Sequence, residues 1–273
     1  MLNAIVSGKA GRVVVDGVER SVSWREMFRR SEDLMTAAVF GRLRYFSPSL
    51  LARVMGTLVT PAAAANFGDL QRVDFWPNLE GTHGRVRVQP DVLMWFKTAL
   101  VMVEVKPPFG GDQNPDQWRD QIRAVAQLAQ RDDEPFPNAV HFVGLGRNRN
   151  TSPLSEVNVG EFDTGGNFEL FLYEREWDIV ASVLRDMRDE AVAADAAVLE
   201  DLSSALQLFG MLTERYTWTS LLEWANYVSL SSAKLAELPF KTTTSVSQKS
   251  RRKSPDWHGL VDFSSLHPIS LQP

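Results

Sequence analysis

Two short apolar runs lie back to back near the middle of the chain, Val92-Leu93-Met94-Trp95-Phe96 and Ala99-Leu100-Val101-Met102-Val103, separated only by Lys97-Thr98. Neither alternates with polar residues, so both faces of each are apolar, the pattern of strands at the centre of a buried sheet. The two-residue polar break predicts a tight connection between them. Around this pair the period changes. Ser31 followed by Glu32 to about Phe46 reads as a capped helix, Pro48 opens a second over Leu50–Val59, and Pro115 opens a third that runs to about Gln130. The small-residue run Ala62–Ala65 reads as a continuation of the second helix or a loop. Further strands are expected at Arg72–Pro77, at the alternating Gly84–Val88, at Ala139–Gly146 and at Phe168–Tyr173. Asn78 to Gly84, with His83, reads as a polar turn, and Arg12–Arg20 as a hairpin turning at Asp16-Gly17. Helix, strands, helix, strand is an α/β order.

From Glu176 to about Tyr216 apolar residues recur at helical spacing among acidic ones, including Ile179, Val183, Leu184, Met187, Val198, Leu199, Leu202 and Leu206, and the pattern continues from Trp218 to Leu235. Such helices either cap the α/β core or meet another protein. The last stretch, Thr242 to Pro273, is rich in Ser and Thr and carries Lys249-Ser250-Arg251-Arg252-Lys253 with sparse apolar anchors, Trp257, Leu260, Val261, Phe263 and Leu266. It reads as a flexible tail or a segment that docks on a partner. The expected organisation is an α/β domain over 1–175, an acidic helical region over 176–240 and a basic tail over 241–273.

Composition narrows the chemistry. The chain of 273 residues has no cysteine, which removes disulfides and thiolate metal sites and suits an intracellular protein. No apolar run reaches membrane-spanning length and the start lacks a signal-peptide pattern, so a cytoplasmic location and no membrane partner are expected. Four scattered histidines, His83, His141, His258 and His267, make no paired-ligand motif, and neither a phosphate-binding loop nor a dinucleotide fingerprint is present. The net charge of −5 confines any nucleic-acid surface to local basic pairs: Arg42 and Arg44, Arg85 and Arg87, Arg119 and Arg123, Arg147 and Arg149.

The remaining chemistry sits on the two central runs. Gln89-Pro90-Asp91 opens the first and Glu104-Val105-Lys106 closes the second. Alternation puts Glu104 and Lys106 on one face and Val105 on the other. Charged side chains leaving a buried strand need compensation, and two carboxylates beside a hard cation satisfy one another, with Mg²⁺ or Mn²⁺ the natural choice. Asp91 and Glu104 are then metal ligands and Lys106 an electrostatic catalyst of phosphodiester hydrolysis. The plainer alternatives are a turn aspartate and an edge-strand ion pair.

Pro90-Asp91 followed by Glu104-Val105-Lys106 resembles the PD-(D/E)xK, or restriction-endonuclease-like, nuclease superfamily, over roughly residues 30 to 146. The resemblance implies an α-β-β-β-α-β core, a mixed central sheet flanked by helices, here with an α-helical C-terminal region. It implies a metal-dependent nuclease acting on DNA, with RNA as the second choice, in bacterial anti-phage defence or DNA processing. Branches of the superfamily place a metal-binding glutamate on the first core helix, which implies a ligand role for Glu32, and a glutamine on the helix after the Glu-x-Lys, which implies a site role for Gln121 or, one turn earlier, Gln117. Glu32 as a first-turn acid after an N-cap and Gln121 as an ordinary polar-face residue are the alternatives. The chain lacks the tyrosine of the RecB-type pattern, Val125 standing in its place. The second reading is a subunit that keeps the nuclease fold and positions DNA or assembles a complex, with a protein partner meeting the acidic helices or the tail.

Overall fold

Val92–Phe96 and Ala99–Val105 pair antiparallel with Leu93 opposite Met102 and Trp95 opposite Leu100, and every residue of the second strand is buried. The computed structural model describes Ile5 to Met211, except residues 6, 8, 15–20, 25–27, 29–30, 82–86, 109–110, 132–134, 147–151 and 189–190; of residues 12–14 and 21–22 it describes the backbone alone. The chain divides into two compact units, Met1–Arg215 and Tyr216–Pro273. The second unit, with the helical stretch Trp218–Leu235 and the basic tail, lies outside the described residues, as do the Asp16-Gly17 turn, His83, Arg85, Arg147 and Arg149.

In chain order the elements are β1 (Arg12–Val14), β2 (Ser21–Ser23), α1 (Glu32–Leu43), α2 (Pro48–Leu58), the short α3 (Pro61–Ala64), β3 (Leu70–Phe75), β4 (Leu79–Glu80), β5 (Arg87–Val88), β6 (Val92–Phe96), β7 (Ala99–Val105), α4 (Pro115–Ala129), β8 (Ala139–Leu145), β9 (Glu169–Arg175), α5 (Trp177–Arg188) and α6 (Ala193–Leu208). Five strands form one mixed sheet in the order β3-β6-β7-β8-β9. The β3, β6 and β7 pairings are antiparallel, whereas β8 and β9 run parallel to β7, as a strand returning through a helical crossover must. β7 is therefore the middle strand, which explains why its sequence is apolar on both faces.

Alternation along the strands feeds two separate cores. Val92, Met94, Phe96, Val101, Val103, Val105, Val143 and Leu145 pack with α1, α2, α5 and α6 on one face. Leu93, Leu100, Met102, Val140 and Phe142 pack with Trp118, Ile122 and Val125 of α4 on the other. The acidic helices α5 and α6 bury Trp177, Val180, Leu184, Met187, Leu199, Leu202 and Leu206 in the first of these cores, so their apolar faces cap the sheet. Asp195 of α6 is buried and accepts from the Ser47 amide at 2.9 Å and the Ser47 hydroxyl at 2.6 Å, tying α6 to the start of α2.

β4 is an element that the sequence pattern does not show. Leu79-Glu80, inside the expected polar turn, forms β4 against β5, with Leu79 opposite Val88 and both buried in the α4-side core. A two-residue strand has no readable period; packing on α4 selects it.

Candidate metal centre

Asp91 and Glu104 come together because β6 and β7 are neighbours and the two acids flank the same end of the hairpin. Asp91, only 6% exposed, accepts a hydrogen bond from the Val105 amide through Oδ2 at 2.8 Å. This carboxylate is thus fixed to the strand that carries Glu104 and is more than a solvated turn residue. Glu104 is 0% exposed and all its oxygens are engaged. Oε1 accepts from Lys106 Nζ at 2.6 Å and from Gln117 Nε2 at 2.7 Å, and Oε2 accepts from Gln121 Nε2 at 2.6 Å.

The remaining residues arrive from the helices. Ser31 caps α1 by accepting from the Leu34 amide at 3.3 Å, which sets Glu32 in the first turn, where the helix dipole favours an acid. Glu32 Oε1 stands 3.1 Å from Lys106 Nζ. Asn114 caps α4 by accepting from the Asp116 amide, and Gln117 and Gln121, four residues apart, share the face turned to Glu104. Glu32, Asp91 and Glu104 each present a carboxylate oxygen, all within 4.8 Å of one another, a set able to hold an ion. Asp91, Glu104, Lys106, Glu32, Gln121 and Gln117 are thus brought together in one cluster.

A buried amide oxygen adds a second observation at the cluster. Gln121 is 1% exposed, and its Oε1 has no hydrogen-bond partner while its Nε2 is spent on Glu104. A buried amide oxygen without a partner is costly; a hydrated cation beside Glu104 would supply one.

Sequence reasoning missed the scaffold beneath the cluster. Gln113 donates to the backbone carbonyls of Glu104 (3.1 Å) and Leu145 (3.2 Å), and accepts from the Trp118 indole at 2.9 Å, clamping the ends of β7 and β8. The Trp177 indole donates to the Lys106 carbonyl at 2.8 Å. Trp76 takes a left-handed φ of 47° and donates its amide to the Asp91 carbonyl at 3.0 Å. Trp177 falls on the apolar period of α5, but its indole hydrogen bond follows from no pattern, and Gln113 and Trp76 stand outside any period.

The charges of the cluster shift one another's proton affinities. Burial and the neighbouring Glu104 charge push Asp91 up to about 8, against the Val105 hydrogen bond, which lowers it. Burial also raises Glu32, although Lys106 pulls it down. Burial would lower Lys106, but Glu104 and Glu32 together hold it above its usual value, so the ammonium stays charged. Asp91 takes up a proton more readily in the folded chain than at its ordinary 3.8, so the stability that this proton confers is complete below about pH 4 and is lost as pH rises toward 8. A cation held by Asp91 would have to displace that proton. Apparent Mn²⁺ affinity is therefore expected to rise between pH 6 and 8 by up to about tenfold per unit and to level off above. Calorimetric titration across that range checks it; a flat profile would contradict a protonated Asp91 at the site.

Several of the basic residues are already engaged. Arg42 pairs with Asp201 at 2.6 Å, Arg44 stacks on Tyr45, and Arg119 bonds Asp116 and Glu161. Among the described residues no helix is long and apolar enough to cross a membrane. Compared with known proteins, the chain matches no family model, no curated protein and no solved structure.

Proposed function

We propose that this chain is a divalent-metal-dependent nuclease with a restriction-endonuclease-like core, hydrolysing phosphodiester bonds in DNA. The observation that carries the reading is the convergence of Asp91, Glu104, Lys106 and Glu32 in one buried cluster beside the unpartnered Gln121 oxygen. The element order supports it as well: α1, β3, β6, β7, α4 and β8 follow one another in the α-β-β-β-α-β sequence that the motif implies, with α2 and α3 inserted after α1 and the separate β4–β5 pair after β3.

The donor set is all oxygen, which matches Mg²⁺ or Mn²⁺ and not a thiophilic ion. Bound there, a divalent cation supplies Lewis-acid polarisation of a phosphate oxygen and a water of lowered pKa. Asp91 and Glu104 would hold it, with Glu32 within reach. Gln117 and Gln121 hold the Glu104 carboxylate in one orientation through two amide hydrogen bonds. Lys106 keeps its proton and neutralises the charge that grows on the phosphate oxygens as the water attacks. The reading of the chain as a purely structural subunit gains nothing from this geometry, since burying Glu104 and Lys106 together costs stability that a packed apolar pair would not.

The test is cleavage of supercoiled plasmid, linear duplex, single-stranded DNA and RNA with Mg²⁺, Mn²⁺ or EDTA, for wild type and Asp91→Ala. Metal-dependent cleavage by wild type that Asp91→Ala lacks is the expected outcome. Cleavage in EDTA, or equal cleavage by Asp91→Ala, would refute the site; cleavage of RNA alone would correct the substrate.

A further inference from the structure

We propose that Glu32 is a positioning residue for the Lys106 ammonium and not a ligand of the cation, in contrast to what the motif resemblance implies for it. The proposal rests on the metal-centre reading and assigns the four charges of the cluster to two neutral pairs: Asp91 and Glu104 with the divalent cation, Glu32 with Lys106.

Three observations support that partition. First, Lys106 Nζ is shared between two carboxylates, 2.6 Å from Glu104 Oε1 and 3.1 Å from Glu32 Oε1. Glu104 Oε1 already accepts from both Lys106 and Gln117, so a cation drawn to that oxygen competes with the ammonium for it. When Glu104 exchanges one for the other, Glu32 is the acceptor that the ammonium already touches. Second, Asp91 and Glu104 are bound to one another through the backbone, since Asp91 accepts from Val105, the residue after Glu104. They form a rigid pair on adjacent strands, whereas Glu32 comes from a separate helix and its side chain is 33% exposed against 0% for Glu104. Third, the two more deeply buried carboxylates alone neutralise a divalent cation, which leaves the Glu32 charge undivided to face the Lys106 ammonium, a side chain only 11% exposed.

The consequence is mechanistic. In the metal-free protein Lys106 is held deep on Glu104 and is unavailable to substrate. Once Glu104 releases it, Glu32 retains the ammonium at the more exposed edge of the cluster, where a phosphate can meet it. Glu32 thereby couples metal occupancy to the placement of the catalytic lysine.

A crystal structure of the full chain soaked in Mn²⁺ is the direct test. Asp91 and Glu104 oxygens are expected within about 2.2 Å of the ion, with the Glu32 oxygens outside that distance and Lys106 Nζ hydrogen-bonded to Glu32. In solution, acetylation of Lys106 read by mass spectrometry in saturating Mn²⁺ should be about tenfold faster in Glu32→Gln than in wild type, with Glu32→Asp restoring protection. A Glu32 oxygen coordinating the ion, or Lys106 equally reactive in all three proteins, would overturn the proposal while leaving the metal centre intact. Absence of bound Mn²⁺ in wild type would overturn the metal centre and the proposal together.

Discussion

Lys106→Met is expected to abolish cleavage by at least about a hundred- to a thousandfold while the protein still binds Mn²⁺. Among the described residues Lys106 is the one cation in contact with Glu104, and methionine keeps the length and packing of its stem without the charge. Two opposite effects follow from that single change. The metal-free protein loses the counter-charge of a fully buried carboxylate, which costs about 3 kcal/mol of folding stability. Divalent cation then substitutes for the missing ammonium at Glu104, so Mn²⁺ should raise the melting temperature of the variant by more than it raises that of wild type. Thermal unfolding with and without Mn²⁺, paired with plasmid cleavage, reads both. A variant that cleaves normally would remove Lys106 from catalysis. A variant that Mn²⁺ stabilises less than wild type would separate Lys106 from the metal centre.

Gly144→Ala is the second large effect, and it acts through the scaffold. In the parallel register of β7 and β8, Gly144 lies opposite Glu104, and the Trp118 ring covers it. A Cβ built there would lie 2.0 Å from Trp118 Cζ2 and 2.8 Å from Cη2, closer than any real contact. The indole cannot step aside cheaply: it is fully buried, lies 4.7 Å from the Phe142 ring and holds Gln113, which in turn holds the carbonyls of Glu104 and Leu145. A loss of about 3 kcal/mol in urea unfolding is expected, together with weakened Mn²⁺ binding as the Gln113 clamp shifts. Gly144→Ala combined with Trp118→Phe should recover part of the stability, because the smaller ring vacates the space the methyl needs. Wild-type stability in the single variant would refute this packing.

These two positions also mark the limit of what the sequence could tell. The β6–β7 hairpin was legible because both runs are apolar on both faces, and the placement of Glu104 and Lys106 away from Val105 follows from the two-residue period of a strand. Glu32 and the two glutamines were legible as positions on helices, Ser31 and Pro115 marking where each helix begins. Gly144 was not, because nothing in Phe142-Val143-Gly144-Leu145 says which residue will face an indole; only the β7–β8 register and the docking of α4 decide that. Gln113 was unreadable for the same reason, its partners being backbone carbonyls on two strands 32 and 9 residues away. Trp177 and Trp76 read as ordinary apolar residues, and their contacts with the Lys106 and Asp91 carbonyls appear only once the sheet is assembled. Periodicity thus reports where charged groups leave the core, while the groups that hold them in place depend on tertiary neighbours.

The most direct measurement of the central claim is a Mn²⁺ titration at pH 8 of the full-length chain and of Glu104→Gln, read calorimetrically. Saturable binding by wild type that is lost in a folded Glu104→Gln is the result this account predicts. No saturable binding to wild type, or equal binding by the variant, would contradict a metal centre built on Asp91 and Glu104.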